Sequence, residues 1–154
     1  MAVREIVLHT DNFIRKKSKP VKEFDEKLWE LLDDMWDTLD VVPGSGLSAV
    51  QVGVLKRVFL LNINNMKIEF INPVITKTKG AQYKREGCLS VALAHDFVKR
   101  PFEVTVTAFD RYGNEFIITG VDLLARALNH EIDHLNGVLY IDKVIKDYKE
   151  KKGK

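Results

Sequence analysis

The sequence predicts an α+β domain in which antiparallel or mixed sheets pack around a central helix. Three observations lead to this fold class. An amphipathic pattern at 21–40 predicts an N-terminal helix, alternating residues in the middle of the chain predict hairpins, and a second helical pattern covers 122–136. Because no internal repeat or linker composition interrupts these patterns, we expect residues 1–154 to form a single domain.

The N-terminal helix has apolar residues at helical spacing, with acidic residues and a lysine between them. This arrangement gives a helix one buried stripe and one solvated face. The stripe comprises Phe24, Leu28, Leu31, Leu32, Met35 and Leu39. A Pro-Gly-Ser-Gly sequence at 43–46 then ends the helix and permits backbone angles that other residues avoid.

Two pairs of β-type segments, each separated by a polar turn, predict antiparallel hairpins. The pairs are 58–61 with 68–71, turning at 64–65, and 104–108 with 116–118, turning at 112–114. Alternation of valine with threonine in the second pair is typical of a sheet with one covered face.

The second helix is expected to begin after a cap at Thr119 or Asp122 and to end at Gly137. Its buried side comprises Leu124, Leu128, Ile132 and Leu135, and the neighbouring face that must look into a site comprises Ala127, His130, Glu131 and His134. From about residue 143 the chain is rich in lysine, which predicts a basic tail that is helical at first and then frayed.

Composition excludes several classes of protein. The chain has 154 residues, is 45% hydrophobic and 30% charged, and carries a formal net charge of +2. This bias is too small to indicate a DNA-binding protein, and no apolar run is long enough to span a membrane. The N-terminus lacks the layout of a signal peptide, and the single cysteine, Cys88, has no partner for an internal disulfide. We therefore expect a cytoplasmic protein.

The segment His130-Glu131-Ile132-Asp133-His134 is the strongest chemical signal in the chain. On a helix, the two imidazoles lie one turn apart on one face and can hold a divalent metal, with a carboxylate beside them as a general base. This pattern predicts a metal-dependent hydrolase. A buried histidine pair that only makes hydrogen bonds is the alternative.

The third metal ligand decides the class of hydrolase. Tyr140 stands where a metzincin protease has its third histidine, and a thermolysin-like protease would have only Glu150 to use. Cys88, upstream in a turn-like segment, is the remaining candidate, although a lone cysteine is also common as a small buried residue. A thiolate with two imidazoles suits Fe(II) as well as zinc, cobalt or nickel.

Three segments together resemble the signature motifs of peptide deformylases, in the same order. They read GSGLSAVQ at 44–51, EGCLS at 86–90 and HEIDHLNG at 130–137. The resemblance extends over nearly the whole chain. It implies that Cys88, His130 and His134 bind the metal, typically Fe(II), and that Glu131 is the acid/base. The implied reaction removes the N-formyl group from the initiator methionine of newly made polypeptides.

The resemblance also suggests groups that stabilise the oxyanion and bind the substrate. The side-chain amide of Gln51 and the backbone N–H of Leu89 are the implied oxyanion donors. The glycine-rich first motif offers backbone groups to which an extended peptide could add as a strand. The substrate-binding residues expected on these grounds are Ser45, Gly46, Gly87 and Arg100.

The chain departs from the family pattern at Ser45, Ser48, Ala92 and Asn129. These departures motivate an alternative, a weakly active or non-catalytic homologue that binds metal and formylated peptides. An HExxH metallopeptidase is a further alternative, but it lacks a complete ligand set. The expected partners are formyl-methionyl nascent peptides and, through the basic tail, the ribosome, and the expected oligomeric state is a monomer.

Overall fold

The structure is a computed structural model that describes residues 2–145, apart from the side chains of residues 92–94. Two α-helices, α1 and α2, cover Glu26–Val41 and Leu123–Leu135. Seven strands, β1 to β7, cover Gly46–Ser48, Val58–Ile63, Met66–Lys79, Gln82–Cys88, Val91–Arg100, Glu103–Phe109 and Glu115–Val121. Short 3₁₀ turns cover Asn12–Arg15, Ala49–Val52 and Tyr140–Lys143.

The strands form two antiparallel sheets. The larger has five strands in the order β1-β2-β3-β6-β7, and β4 pairs with β5 in a separate two-stranded hairpin. Every pairing between these strands is antiparallel. The predicted α+β class is therefore confirmed, with antiparallel rather than mixed sheets.

Both predicted hairpins are present. β2 and β3 turn at Asn64 and Asn65, whose φ angles of 53° and 64° are left-handed, a conformation that asparagine tolerates well. β6 and β7 pair from Glu103–Val121 to Phe109–Glu115. Sequence patterns missed the β4–β5 hairpin because its strands carry charged residues in place of a clean apolar alternation.

Helix α1 begins at Glu26, five positions later than predicted from the periodic pattern. The Asp25 side chain accepts a hydrogen bond from the Leu28 N–H at 3.2 Å and so caps the helix. The predicted stripe is buried from Leu28 to Leu39. Phe24 lies before the helix and packs edge-on against Phe109, with ring centroids 6.1 Å apart.

Helix α2 packs its apolar side against the five-stranded sheet. Its buried residues Ala125, Leu128, Ile132 and Leu135 share a core with residues of β2, β3 and β6. Burial of such side chains, at about 1.5–3 kcal/mol each, anchors the helix and therefore the groups it carries. The close approach depends on Gly120, because a Cβ there would lie 2.4 Å from Leu124 Cγ.

The sequence predicted the C-terminal end of α2 more closely than its N-terminal cap. Gly137 ends the helix with a φ of 78°, as predicted, and a Cβ there would lie 2.2 Å from the Arg15 carbonyl oxygen. Of the two residues predicted to cap the start of α2, Asp122 occupies the N-cap position and Thr119 lies within β7. The Asp122 side chain makes no capping hydrogen bond, and its carboxylate pairs with Arg126.

Only the start of the predicted basic tail lies in the described part of the chain. Lys143 ends a 3₁₀ turn and pairs with Asp133 at 2.8 Å, and Val144 forms an isolated bridge with Val98. Residues 146–154, which hold most of the lysines of the tail, lie outside the described residues. Among the described helices, none has the length and apolar character needed to cross a membrane.

Candidate metal centre and active site

Three side chains from two distant parts of the chain converge on one point. Cys88 is the last residue of β4, whereas His130 and His134 lie one turn apart on α2. The Cys88 Sγ and His134 Nε2 atoms are 3.2 Å apart, and the two Nε2 atoms are also 3.2 Å apart. The three candidate ligand atoms all lie within 4.8 Å of one another.

This spacing fits a single divalent ion. Ligands at tetrahedral angles, about 2.0–2.1 Å from the metal for nitrogen and 2.3 Å for sulfur, lie roughly 3.3–3.6 Å apart. Burial lowers the pKa of His134 well below its ordinary value and keeps this imidazole neutral, the form that binds metal. A Cys-His-His set of this geometry leaves a fourth position open for water.

The orientation of His130 is set by Glu86. His130 Nδ1 donates a hydrogen bond to Glu86 Oε1 at 2.8 Å, which leaves Nε2 facing the other ligands. Burial would raise the pKa of Glu86, but hydrogen bonds from His130 and Arg100 outweigh it and lower the pKa to about 2. Glu86 is therefore a carboxylate that fixes the tautomer of a candidate metal ligand, an arrangement common around protein-bound metals.

Arg100 does not lie where the sequence predicted. Its side chain has 0% exposure, and its guanidinium donates two hydrogen bonds to Glu86, at 2.8 and 2.9 Å. It also donates to Asn129 Oδ1 and Asp133 Oδ2. The expected substrate contact is thus corrected, because Arg100 is buried and most of its donors are used by Glu86, Asn129 and Asp133.

Glu131 lies beside the candidate metal ligands in a closely packed position. Burial raises its pKa to about 7, and its Oε1 atom has no hydrogen-bond partner among the described residues. A Cβ at Gly46 would lie 2.6 Å from Glu131 Oε2. A glycine is therefore needed at position 46, because the Glu131 carboxylate approaches the backbone there closely. With a pKa of about 7, this carboxyl group can exchange a proton near neutral pH.

Gln51 points its amide nitrogen toward the centre. The Nε2 atom lies 3.5 Å from Cys88 Sγ and 3.2 Å from Ser90 Oγ. The Oε1 atom accepts hydrogen bonds from the Ser48 N–H at 2.9 Å and from the Ser48 Oγ at 3.1 Å. Ser48, a departure from the family pattern, thus holds the amide so that its nitrogen faces the site.

A cavity of about 720 Å³ opens beside these groups. Leu89 lies in the two-residue turn between β4 and β5, and its side chain is half-buried. The cavity lining includes Ser45, Gly46, Gln51, Gly87, Cys88, Leu89, Leu123, Ala127, His130 and Glu131. Of the residues predicted to bind substrate, all except Arg100 therefore border it.

Strand β1 borders the same cavity and is an edge strand. Among the described strands it pairs with β2 alone, through Gly46–Leu61 to Ser48–Phe59. The other edge of β1 can therefore receive an extended peptide, which would use main-chain hydrogen bonds whatever its side chains.

Comparisons with known proteins agree with this geometry. A family model described as polypeptide deformylase matches residues 3–150. The chain belongs to this family. It is 51% identical over 146 residues to the peptide deformylase of Caldicellulosiruptor bescii, covering 95% of this chain and 88% of that protein. The peptide deformylase of Heliobacterium modesticaldum is 45% identical over 150 residues, which cover 97% of this chain and 99% of that protein.

Solved structures show the same relationship to the deformylase family. A crystal structure of a peptide deformylase from Legionella pneumophila superposes with a TM-score of 0.91 at 44% identity, covering 94% of this chain and 88% of that one. Peptide deformylase from Ehrlichia chaffeensis in complex with actinonin gives a TM-score of 0.92 at 37% identity, over 95% and 91% of the two chains.

Sequence reasoning missed the residues that support the deformylase site from behind. In the sequence, Glu86 stands out only as part of a motif, and Ser48 only as a departure from one. The buried pairing of Arg100 with Asp133 had no signal, because one charged residue in a strand and one in a helix are common on surfaces as well. The position of Glu86 two residues before Cys88 was the one available hint.

Proposed function

We propose that this protein is a metal-dependent peptide deformylase, which hydrolyses the N-formyl group of the initiator methionine of newly made polypeptides. The single observation that carries the proposal is the convergence of Cys88, His130 and His134 beside the buried carboxylate of Glu131. Family membership over residues 3–150 supports the same reaction.

Cys88, His130 and His134 would hold the metal. A divalent ion at such a site makes water available as a nucleophile near neutral pH and polarises a carbonyl group. Glu131 accepts a proton from the attacking water and donates it to the leaving amine, so that formate and a free N-terminus result. A pKa of about 7 allows this carboxyl group to exist in both protonation states near neutral pH.

Gln51 and the backbone N–H of Leu89 are proposed to stabilise the oxyanion of the tetrahedral intermediate. Ser48 already orients the Gln51 amide, so little free energy of reorganisation is needed when the reaction begins. Removal of one such donor typically raises the barrier by about 2.7–4 kcal/mol. The variant Gln51→Ala is expected to lose activity on that scale.

The substrate is proposed to lie along the free edge of β1. Backbone groups near Ser45, Gly46 and Gly87 would pair with its main chain, while the methionine side chain occupies the apolar part of the cavity near Leu123 and Ala127. This mode reads the main chain of the peptide, which suits an enzyme that must act on many different nascent chains.

We propose Fe(II) as the native metal, with zinc, nickel or cobalt able to substitute. The thiolate of Cys88 supplies the negative charge that suits Fe(II). The same thiolate beside a redox-active ion is open to oxidation, so aerobic preparation should lower activity more for the iron form than for the nickel form.

A cytoplasmic location accords with the lone cysteine and with a nascent-chain substrate. The single domain over 1–154, the monomeric state and contact of the basic tail with ribosomes stay predictions.

Formate release from a formyl-Met tripeptide tests the proposed function directly. Protein prepared without oxygen and loaded with Fe(II) or Ni(II) should release formate, and Glu131→Gln should bind metal equally but release almost none. Absence of release by protein shown to contain metal would reject the proposal.

The alternative of a non-catalytic homologue is not favoured by the comparisons, since the matching relatives are peptide deformylases. The structure also gives Ser48 and Asn129 hydrogen-bonding roles that support the site. The double variant Ser48→Ala with Asn129→Gln distinguishes the two. A large gain of formate release in that variant would favour the alternative.

A further inference from the structure

The cavity beside the metal ligands has an uneven distribution of charge. Its wall includes the basic residues Arg85, His95 and Arg126, in addition to the apolar and catalytic groups described above. The acidic residues that border it are Glu86 and Glu131. A bound peptide can interact with those charges that are not already paired within the protein.

Most of the charged groups are already engaged. Glu86 is neutralised by hydrogen bonds from Arg100 and His130. Arg126 donates to Asp122 at 2.9 Å and to Gln82 at 2.7 Å. Glu131 is 6% exposed and lies at the floor of the cavity, beside the metal ligands. These groups hold the site together and offer little net charge to its entrance.

Arg85 differs from Glu86, Arg126 and Glu131. It is exposed on β4, and within residues 2–145 it has no ion-pair partner. Its guanidinium carbon lies 5.0 Å from the centroid of the Phe97 ring, which belongs to the residue opposite it on β5. This cross-strand contact restrains the guanidinium at the cavity wall.

The contact with Phe97 leaves the hydrogen-bonding capacity of Arg85 available. A guanidinium stacks through its face, whereas its N–H donors lie in its plane and match a carboxylate. Arg85 is therefore a restrained cation with unused donors, on the wall of the cavity that is proposed to take the methionine side chain.

We propose that Arg85 is a specificity-determining residue, which favours formylated peptides carrying an acidic side chain at the second or third position and disfavours those carrying lysine there. The inference rests on the proposed function, because it names a subset of the substrates of the same site. It concerns the charge of the peptide beyond methionine, which main-chain pairing along β1 cannot distinguish.

The test compares kcat/KM for formyl-Met-Glu-Ser, formyl-Met-Gln-Ser and formyl-Met-Lys-Ser, each with an amidated C-terminus, and for a matching set with the variable residue at position three. At low salt, the glutamate peptide should exceed its isosteric glutamine counterpart by about two- to fivefold at one of the two positions, the ratio that a solvent-exposed ion pair provides. The lysine peptide should be the slowest. The ratios should approach one at high salt, because the pair is screened.

Charge reversal at Arg85 should invert the order, and a neighbour on the same strand provides the control. Arg85→Glu should prefer the lysine peptide over the glutamate peptide. Lys84→Glu makes the same change in net charge, but Lys84 points to the opposite face of β4 and does not border the cavity. This control should keep the wild-type order.

The outcomes separate the inference from the proposed function. Equal rates for the three peptides, at both positions, with formate release clearly measurable would overturn the role of Arg85 alone. An equal change of order in Arg85→Glu and Lys84→Glu would also overturn it, since net charge would then be the cause. If no peptide is hydrolysed, the proposed function fails, and calorimetric binding of the same peptides to the nickel-loaded protein still tests the preference.

Discussion

Arg100 and Arg111 each join two carboxylates, but Arg100 is buried beside the proposed metal ligands and Arg111 is partly exposed. Arg100, at 0% exposure, bridges Glu86 and Asp133. Arg111, at 22% exposure, bridges Glu69 and Asp33 and so ties β3 to α1. Both networks have direct hydrogen bonds, so their chemistry is nearly the same.

Burial gives the two networks different consequences. Removing Arg100 would take away the buried cation that Glu86 and Asp133 share. Each carboxylate would keep one weaker arrangement, with His130 beside Glu86 and the more exposed Lys143 beside Asp133. Removing Arg111 would instead expose its partners to solvent. The buried network also holds His130 through Glu86, and the exposed one contacts no residue of the site. Position in the fold, rather than the number of ion pairs, decides what an arginine contributes.

The substitution Arg100→Met should have the largest effect. It should lower the free energy of unfolding by about 3–5 kcal/mol, because the carboxylates of Glu86 and Asp133 lose their buried partner. Metal affinity should fall about 10–100-fold, as is typical when support for a ligating histidine is lost. Urea denaturation and competition with a chelator would measure the two effects. A stability loss below 1 kcal/mol would contradict the role that we assign to burial.

Asp34 provides an intermediate case, since its side chain is 7% exposed while its partner Arg4 is 31% exposed. Burial opposes ionisation, but hydrogen bonds from Arg4 and the Ala2 N–H lower the pKa of Asp34 below its ordinary 3.8. Its contribution is therefore present above pH 3.8 and is lost as pH falls through the lower, folded-state pKa.

The substitution Asp34→Asn should destabilise the protein at pH 7 by about 1.5–2 kcal/mol, the lower part of the range for hydrogen bonds to a charged group, because Arg4 is partly exposed. Wild type and variant should converge in stability as the pH falls well below 3.8. Urea midpoints measured across this pH range would check the convergence. A difference that stays constant with pH would show that the charge of Asp34 does not matter.

The substitution Ser48→Ala separates burial from charge, because Ser48 is fully buried but neutral. The variant loses the hydroxyl hydrogen bond to Gln51 Oε1 while the backbone N–H still holds the amide. We expect kcat to fall by about fivefold, which corresponds to roughly 1 kcal/mol for one hydrogen bond. Metal content should stay unchanged. An unchanged kcat would mean that the backbone contact alone orients Gln51.

The substitution Arg111→Met should have the smallest effect, a loss of about 0.2–1 kcal/mol in the free energy of unfolding. Metal affinity and formate release should match the wild type, since this network contacts no residue of the site. Reduced metal binding in this variant would break the distinction between the two networks.

Local patterns predicted the elements whose residues repeat at a clear period. The apolar stripe of α1 and the paired segments around Asn64-Asn65 are of this kind, and both were found. The start of α1 was misplaced because the pattern extends through Phe24, whereas the capping side chain of Asp25 sets the boundary. The β4–β5 hairpin was missed because Lys84, Arg85 and Glu86 conceal the alternation of its residues.

The sequence by itself determined that two imidazoles and a carboxylate share one end of a helix, because spacing along an α-helix fixes direction within a turn or two. Only the tertiary structure decided that β4 brings Cys88 within 3.2 Å of His134 and turns Arg100 inward to Glu86. Distances between residues far apart in the chain depend on how sheets and helices pack, and no local period encodes that packing.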